Sequence, residues 1–378
     1  MDIEAALLRE VHADFTIETV RIDAPRADEV LVEVLATGLC HTDLAVRDGV
    51  FPVPAMPNIL GHEGAGVVVA IGAAVSTIGV GDHVALSFAS CGVCPPCGEG
   101  RPAHCDNFLQ ANFMGRRPDG SCTHHQHGHE INASFFGQSS FASHALVRER
   151  HVVKVPNDIP LELLGPLGCG IQTGAGTILN HLKPPAGSSV AIFGAGAVGL
   201  SAVMAAKIAG CATIIAVDVQ PARLALALEL GATHAIDGRE ADAVAAIKEI
   251  TAGAGAGYVV EATGLPAVVA QGIRSARRMG QVALLGMGPM DAPLPLVLGD
   301  LMTGAMVRYV IEGDSVPHTF IPQLIEYHRQ GRFPFDRLIR FYDIDNINDA
   351  VRDTESGRTI KPVIRMRRRS TTSNGDQP

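Results

Sequence analysis

Apolar and polar positions follow two different rules along this chain. From about Gly187 to Arg308, short apolar runs alternate with helical stretches. Val190–Phe193, Thr213–Asp218, Tyr258–Ala262 and Val282–Leu285 read as strands, and Leu200–Gly210 and Pro221–Leu230 read as helices. Strand–helix–strand order implies a parallel, doubly wound sheet. Residues 1–60 instead carry short strand-like runs such as Val30-Leu-Val-Glu-Val-Leu-Ala36, broken by Pro and Gly, which predict β-rich structure. After Val310 the pattern is mixed again, with a helix expected over Phe320–Arg329 and a last strand at Lys361-Pro-Val-Ile-Arg365. Residues Arg367–Pro378 are basic, then polar, and read as a disordered tail. The expected fold class is α/β, a β-rich part joined to a doubly wound one.

The first strand of the alternating region runs into Gly194-Ala-Gly196-Ala-Val-Gly199, a G-x-G-x-x-G turn at the start of a helix. The first glycine permits the tight turn, the second lets backbone approach a pyrophosphate, and the third lets helix lie close to strand. Free N–H groups at the helix N-terminus would receive the phosphate. The next strand ends in Asp218, 19 residues after Gly199, a spacing that suits a carboxylate on the adenosine ribose. Val219 and Gln220 follow it without a base, so NAD is expected rather than NADP.

Composition narrows the partners. The 378 residues suffice for two ordinary domains, and 47% apolar with 18% charged residues describes a globular enzyme. A net charge of -9 argues against nucleic acid and anionic membranes as partners. Pro184–Ala206 carries no charge, but its glycines at turn spacing disfavour a membrane span. No basic stretch followed by an apolar core opens the chain, so the expected location is cytoplasmic and the eight cysteines are expected to be thiols or metal ligands.

Four of those cysteines, Cys91, Cys94, Cys97 and Cys105, lie within fifteen residues. Four thiols so close can surround one tetrahedral Zn2+ and leave no position open, which defines a structural site. A zinc-ribbon module for nucleic acid is discounted because the flanks lack a basic, aromatic surface. The segment Thr123-His124-His125-Gln-His127-Gly-His129 reads as a solvent loop with weak metal binding as its alternative. Phe51, Phe88, Phe135 and Phe136 are open to two readings, core packing or the lining of an apolar pocket.

Upstream stand Cys40-His41-Thr42-Asp43 and then Gly61-His62-Glu63 with Gly66, Gly72 and Val75, the pattern G-H-E-x2-G-x5-G-x2-V. With the cysteine loop, this pattern resembles the zinc-containing alcohol dehydrogenases of the medium-chain family. Such a resemblance implies a GroES-like catalytic domain over 1–170 and 309–378, with its zinc lobe near 88–110, and a Rossmann coenzyme domain over 171–308. It also implies two zinc ions per subunit: a catalytic one held by Cys40, His62 and Cys169, with a fourth position open, and a structural one held by the four-cysteine loop. A Lewis-acidic ion beside a nicotinamide implies reversible hydride transfer between an alcohol carbon and NAD.

The resemblance carries further roles. Thr42 would relay the proton, Asp43 would orient His62, and Glu63 would lie beside the metal and tune it. His41 and Lys361 match bases at the cofactor pyrophosphate, Thr173 packs near the nicotinamide, and Arg223 lies near the adenosine ribose. Where animal enzymes complete the proton relay with His, this chain has Ala45. That departure, Gly137-Gln-Ser-Ser-Phe-Ala142 and the stretch Leu161–Gly174 are most similar to bacterial aryl-alcohol (benzyl alcohol) dehydrogenases, with geraniol-type alcohols as related substrates. The enzyme alternative is a glutathione-dependent formaldehyde dehydrogenase using Arg116 and Arg117 for its adduct's carboxylates. The alternative outside catalysis is a silent metal-binding relative. A homodimer or homotetramer is implied, with Val307–Ile311 as its sheet edge or else an internal strand.

Overall fold

The computed structural model describes residues 1–50, 56–288 and 291–367. Phe51 and the tail from 368 lie outside them.

Three sheets organise the chain. A five-stranded sheet holds, in spatial order, Asn58–Ile59, Asp2–Leu8, Thr16–Ile22, His124–Gln126 and His129–Ile131. A seven-stranded sheet is centred on Glu29–Gly38, the long alternating run, which pairs antiparallel with Glu63–Ile71, His144–Arg148 and Lys361–Arg365. Gly66 lies where two strands meet closely: a Cβ there would be 2.0 Å from the Glu33 carbonyl oxygen. The third sheet is wholly parallel, in the order His234–Asp237, Thr213–Asp218, Ser189–Phe193, Ala256–Glu261, Ala276–Leu284 and Met306–Tyr309. Strand order reverses between Ser189–Phe193 and Ala256–Glu261. A doubly wound sheet of this order opens a ligand crevice at that point, beyond the strands' C-terminal ends, where Gly194 begins.

Helices and strands of the parallel part fall where the apolar pattern puts them, with shifted ends. Ala197–Ile208 starts at the glycine turn, and Pro221–Leu230 has Pro in its first turn and Gly231 at its end, at φ +128°. The strand expected from Val282 begins at Ala276, because Arg277, Arg278 and Met279 are exposed and break the apolar run. The helix expected from Phe320 begins at Pro317. Lys361–Arg365 is the expected strand.

Two expectations change. The His-rich segment is a β-hairpin rather than a solvent loop: His124–Gln126 pairs antiparallel with His129–Ile131, and His124 is 1% exposed. Its turn is made by His127 and Gly128, both at positive φ. Met306–Tyr309 resolves as an edge, pairing within the chain with Ala276–Leu284 alone and exposed along its length.

One buried apolar cluster crosses from the seven-stranded sheet to the parallel one. It contains Ala65 and Ala85, then Leu167, Ile171 and Ile178, then Val190, Ile192 and Leu200. Cys169 lies in this seam. Among the described residues no helix is long and apolar enough to cross a membrane.

Candidate active site

Three separate segments deliver the dispersed ligands. Cys40 follows the central strand Glu29–Gly38 and caps the helix His41–Arg47, His62 immediately precedes the strand Glu63–Ile71, and Cys169 precedes the helix Gly170–Gly176. One ligand atom from each of Cys40, His62, Glu63 and Cys169 lies within 4.8 Å of the others. Asp43 sets the geometry. Its Oδ1 faces His62 Nδ1 at 3.0 Å and accepts the Gly61 N–H at 3.0 Å, while Oδ2 accepts the Cys40 N–H at 3.0 Å. A carboxylate at Nδ1 holds the proton there and leaves Nε2 as a donor of electrons.

His62 Nε2 is buried without a hydrogen-bond partner, and two thiols converge on the same space. An orphaned buried imidazole nitrogen is costly unless something occupies it. Two sulfurs and one imidazole are the donor set that suits Zn2+ with one open position, so the residues fit the ion. Hydrogen bonding from Cys169 pulls the Cys40 thiol well below its ordinary range against the cost of burial, while Cys169 is pushed up, so one thiol is ready to ionise. Burial opposes a charged His62, but Asp43 outweighs it and raises the imidazole. Thr42 Oγ1 is 3.7 Å from Cys40 Sγ, at the mouth of this group.

Glu63 brings a partner that sequence alone did not indicate. Both its oxygens lie 2.7 Å from Lys361 Nζ, and Nζ also donates to the Leu39 carbonyl at 3.3 Å, so all three ammonium donors are engaged. Burial raises the Glu63 carboxyl while Lys361 counters it, and Glu63 in turn raises Lys361. Lys361 therefore stands as the counter-ion of the metal-side carboxylate, also near the nucleotide helix: a Cβ on Gly170 would lie 3.5 Å from Nζ and 3.8 Å from Val198 Cγ2.

Glu312 was not foreseen at all. It is buried, with Oε1 3.4 Å from Cys169 Sγ, while Oε2 accepts from Gln172 Nε2 at 3.1 Å and lies 3.5 Å from Thr173 Oγ1. Burial pushes its carboxyl up to about 7. No local spacing marks an acid so far along the chain from Cys169. Two aromatic rings also pack on the ligand imidazole: Phe136 stacks on His62 at 4.5 Å and Phe135 meets it edge-on at 5.4 Å. Both are buried, as is Phe88.

The four-cysteine loop forms a second group, its sulfurs also within 4.8 Å of one another and none in a disulfide. The Val93 and Cys94 N–H groups draw the Cys91 thiol down to about 6, while burial pushes Cys105 up to about 12. Tetrahedral Zn2+ fits four such thiols with no open position.

At the crevice the three glycines divide the work. Gly194 adopts φ +91°, a Cβ on Gly196 would meet nothing within 4 Å, and a Cβ on Gly199 would lie 1.7 Å from the Gly194 carbonyl oxygen. The open side at Gly196 suits a pyrophosphate. Asp218 ties this turn to its strand: Oδ2 accepts the Ala195 N–H at 2.6 Å, and Oδ1 those of Val219 and Gln220 at 2.7 and 2.8 Å. Arg223 lies in the first turn of Pro221–Leu230 with Nε buried and unpartnered. His41 is exposed at the start of its helix, and the Thr173 hydroxyl donates to the Cys169 carbonyl at 2.9 Å. Arg116 and Arg117 are engaged elsewhere, Arg117 with Glu29 and Asp23 and Arg116 with Asn132 and Glu130.

Known proteins share this chain's sequence and fold. Residues 26–157 match the alcohol dehydrogenase GroES-like domain, and residues 197–326 match the zinc-binding dehydrogenase family. A geraniol dehydrogenase of Castellaniella defragrans is 50% identical over 96% of this chain and 97% of its own length. The crystal structure of a benzyl alcohol dehydrogenase from Acinetobacter calcoaceticus is 47% identical, with a TM-score of 0.94 over 97% of this chain and all of that one. A zinc-binding dehydrogenase structure from Sinorhizobium meliloti, bound to NADP, is 27% identical, with a TM-score of 0.80 over 97% of this chain and 99% of that one. The metal-ready thiols, the nucleotide turn and these matches together place the chain in the zinc-binding, nicotinamide-dependent medium-chain alcohol dehydrogenase family, as an alcohol dehydrogenase.

Proposed function

We propose that this enzyme oxidises primary aromatic or allylic alcohols, of the benzyl alcohol or geraniol type, reversibly to aldehydes with NAD. The observation that carries the reading is the convergence of Cys40, His62 and Cys169 around an orphaned imidazole nitrogen. The substrate class is supported by the printed activities of the two similar proteins, a geraniol dehydrogenase and a benzyl alcohol dehydrogenase. Bound zinc supplies Lewis acidity toward an alcohol oxygen, and bound nicotinamide accepts hydride.

The chain's own residues do the rest. Cys40, His62 and Cys169 would hold the catalytic ion, and Cys91, Cys94, Cys97 and Cys105 a second, structural one. Asp43 fixes the tautomer of His62, and the buried Phe135 and Phe136 keep water from its ring. Thr42 Oγ1 is placed to take the alcohol proton and pass it outward, with Ala45 offering no imidazole further along. Glu63, held by Lys361, keeps negative charge beside the ligand group. Gly194, Gly196 and Gly199 would cradle the pyrophosphate with His41 nearby. Asp218 would take the ribose hydroxyls, its charge disfavouring a 2′-phosphate, and Arg223 would flank the ribose.

The proposed division is a catalytic part over 1–170 and 309–378 and a coenzyme part over 171–308, in a cytoplasmic homodimer or homotetramer that pairs through the Met306–Tyr309 edge. Initial rates of NAD reduction with benzyl alcohol, geraniol, ethanol and S-hydroxymethylglutathione, on protein of measured zinc content, test the reading. A preference for benzyl alcohol or geraniol at two zinc ions per chain supports it; activity on the glutathione adduct alone overturns it.

A further inference from the structure

The catalytic ligand Cys169 and the four-cysteine loop are joined by one short turn. Glu312, Gly313 and Asp314 all have positive φ, at +50°, +65° and +49°. Left-handed backbone is disfavoured at a residue such as Glu312, less so at Asp, and three successive residues in it persist only where the surroundings hold them. Here they are held from both sides. A Cβ on Gly313 would lie 2.5 Å from the Gln172 carbonyl oxygen and 2.9 Å from Gly176 Cα, so the turn sits directly on the helix Gly170–Gly176. Glu312 faces inward to Cys169, Gln172 and Thr173.

Asp314 faces the other way. Its Oδ1 is 2.7 Å from His104 Nε2, and its Oδ2 is 2.7 Å from His181 Nδ1. Neutral imidazoles with the proton on those nitrogens donate both bonds, so the arrangement needs no added charge. His104 is the residue before Cys105, the last cysteine of the loop, in the short helical turn Pro102–His104.

We infer that His104 and Asp314 are positioning residues for the catalytic site: through the Glu312–Asp314 turn, the four-cysteine lobe fixes the segment that carries Cys169 and Thr173. The lobe thereby acts on the reaction centre. The consequence for catalysis rests on Cys169 being a metal ligand, but the mechanical link does not.

Hydrogen exchange of the zinc-loaded, full-length enzyme separates the two. His104→Leu and Asp314→Asn should each raise exchange in residues 168–176 about tenfold and lower kcat several-fold, with zinc content unchanged. His104→Gln keeps an N–H donor and should restore protection. Leu109→Ala, an exposed change on the same lobe, should alter nothing. Exchange in 168–176 that stays at the native level in both His104→Leu and Asp314→Asn overturns the inference, as does a His104→Gln enzyme indistinguishable from His104→Leu. If His104→Leu does not fold, Asp314→Asn and His104→Gln decide it. Raised exchange with unchanged kcat would leave the mechanical contact standing and overturn the positioning role.

Discussion

The two thiol groups of this enzyme are built by opposite means. Cys91, Cys94, Cys97 and Cys105 come from one loop, two of them only partly buried, and their approach is aided by N–H groups of the same loop. Closing such short loops costs little entropy. Cys40, His62 and Cys169 come from three segments, two at strand ends of the seven-stranded sheet and one before the helix Gly170–Gly176, and Asp43, Glu63, Lys361 and Glu312 surround them in the interior. A local group depends chiefly on its own metal. A dispersed one depends on the fold that assembles it, and three donors so placed would leave one position of a tetrahedral ion open.

Single ligand changes test this contrast most severely. Cys169→Ser should lower kcat/KM on the order of a thousandfold, about 4 kcal/mol of barrier, and remove one zinc per chain while the thermal midpoint moves little. Cys97→Ser should also remove one zinc, but lower the midpoint, because a structural site contributes its binding energy to folding. Metal analysis and calorimetry on both variants check this. Identical profiles would erase the distinction between the groups.

Asp43→Asn makes a smaller, sharper cut. The amide keeps the shape but only one acceptor oxygen, so it serves either the Cys40 or the Gly61 N–H and cannot hold the Nδ1 proton of His62 as a carboxylate does. Loss of such a partner typically costs 10–100-fold in metal affinity. Competition with a chelator should show the dispersed zinc leaving first, at correspondingly lower chelator concentration, with the four-cysteine zinc retained. Unaltered competition would mean that packing by Phe135 and Phe136 orients the imidazole without Asp43.

What could be read from sequence follows the same division. The four-cysteine loop, the glycine turn and the strand ending at Asp218 are each contained in one short stretch, so spacing alone expresses their geometry. The convergence of Cys40, His62 and Cys169 became legible only through family resemblance, since nothing in their separation predicts contact. Glu63–Lys361 and Cys169–Glu312 join residues far apart in sequence, and neither acid stands in a pattern naming its partner. The His-rich hairpin was misread for a different reason. Four imidazoles suggested solvent exposure, yet alternation across a strand turns His124 inward while its neighbour His125 reaches Asp23 at 3.2 Å.

That buried histidine yields the mildest prediction, and it isolates fold stability from both metals. The Thr123 hydroxyl donates to the Ala133 carbonyl, so His124 Nδ1–H is left to donate to Thr123 Oγ1 at 2.8 Å, and Nε2 is buried without a partner. Protonation would place an N–H where nothing accepts it, and burial lowers the imidazole to about 3. An unfolded chain takes up that proton near pH 6.5, so it binds more protons than the folded one between those values. The contribution of His124 is therefore intact above about pH 6.5 and declines as pH falls toward 3, by up to about 1.4 kcal/mol per unit. His124→Asn offers an N–H to Thr123 but does not titrate. Urea unfolding at pH 7.0 and 5.5 should show a smaller loss of stability for the variant than for the native enzyme, by about 1 kcal/mol, with both zinc ions still bound. An equal loss in the two proteins would mean that His124 contributes nothing to acid sensitivity in this range, and would pass that role to other buried groups such as His151, which burial also lowers to about 3.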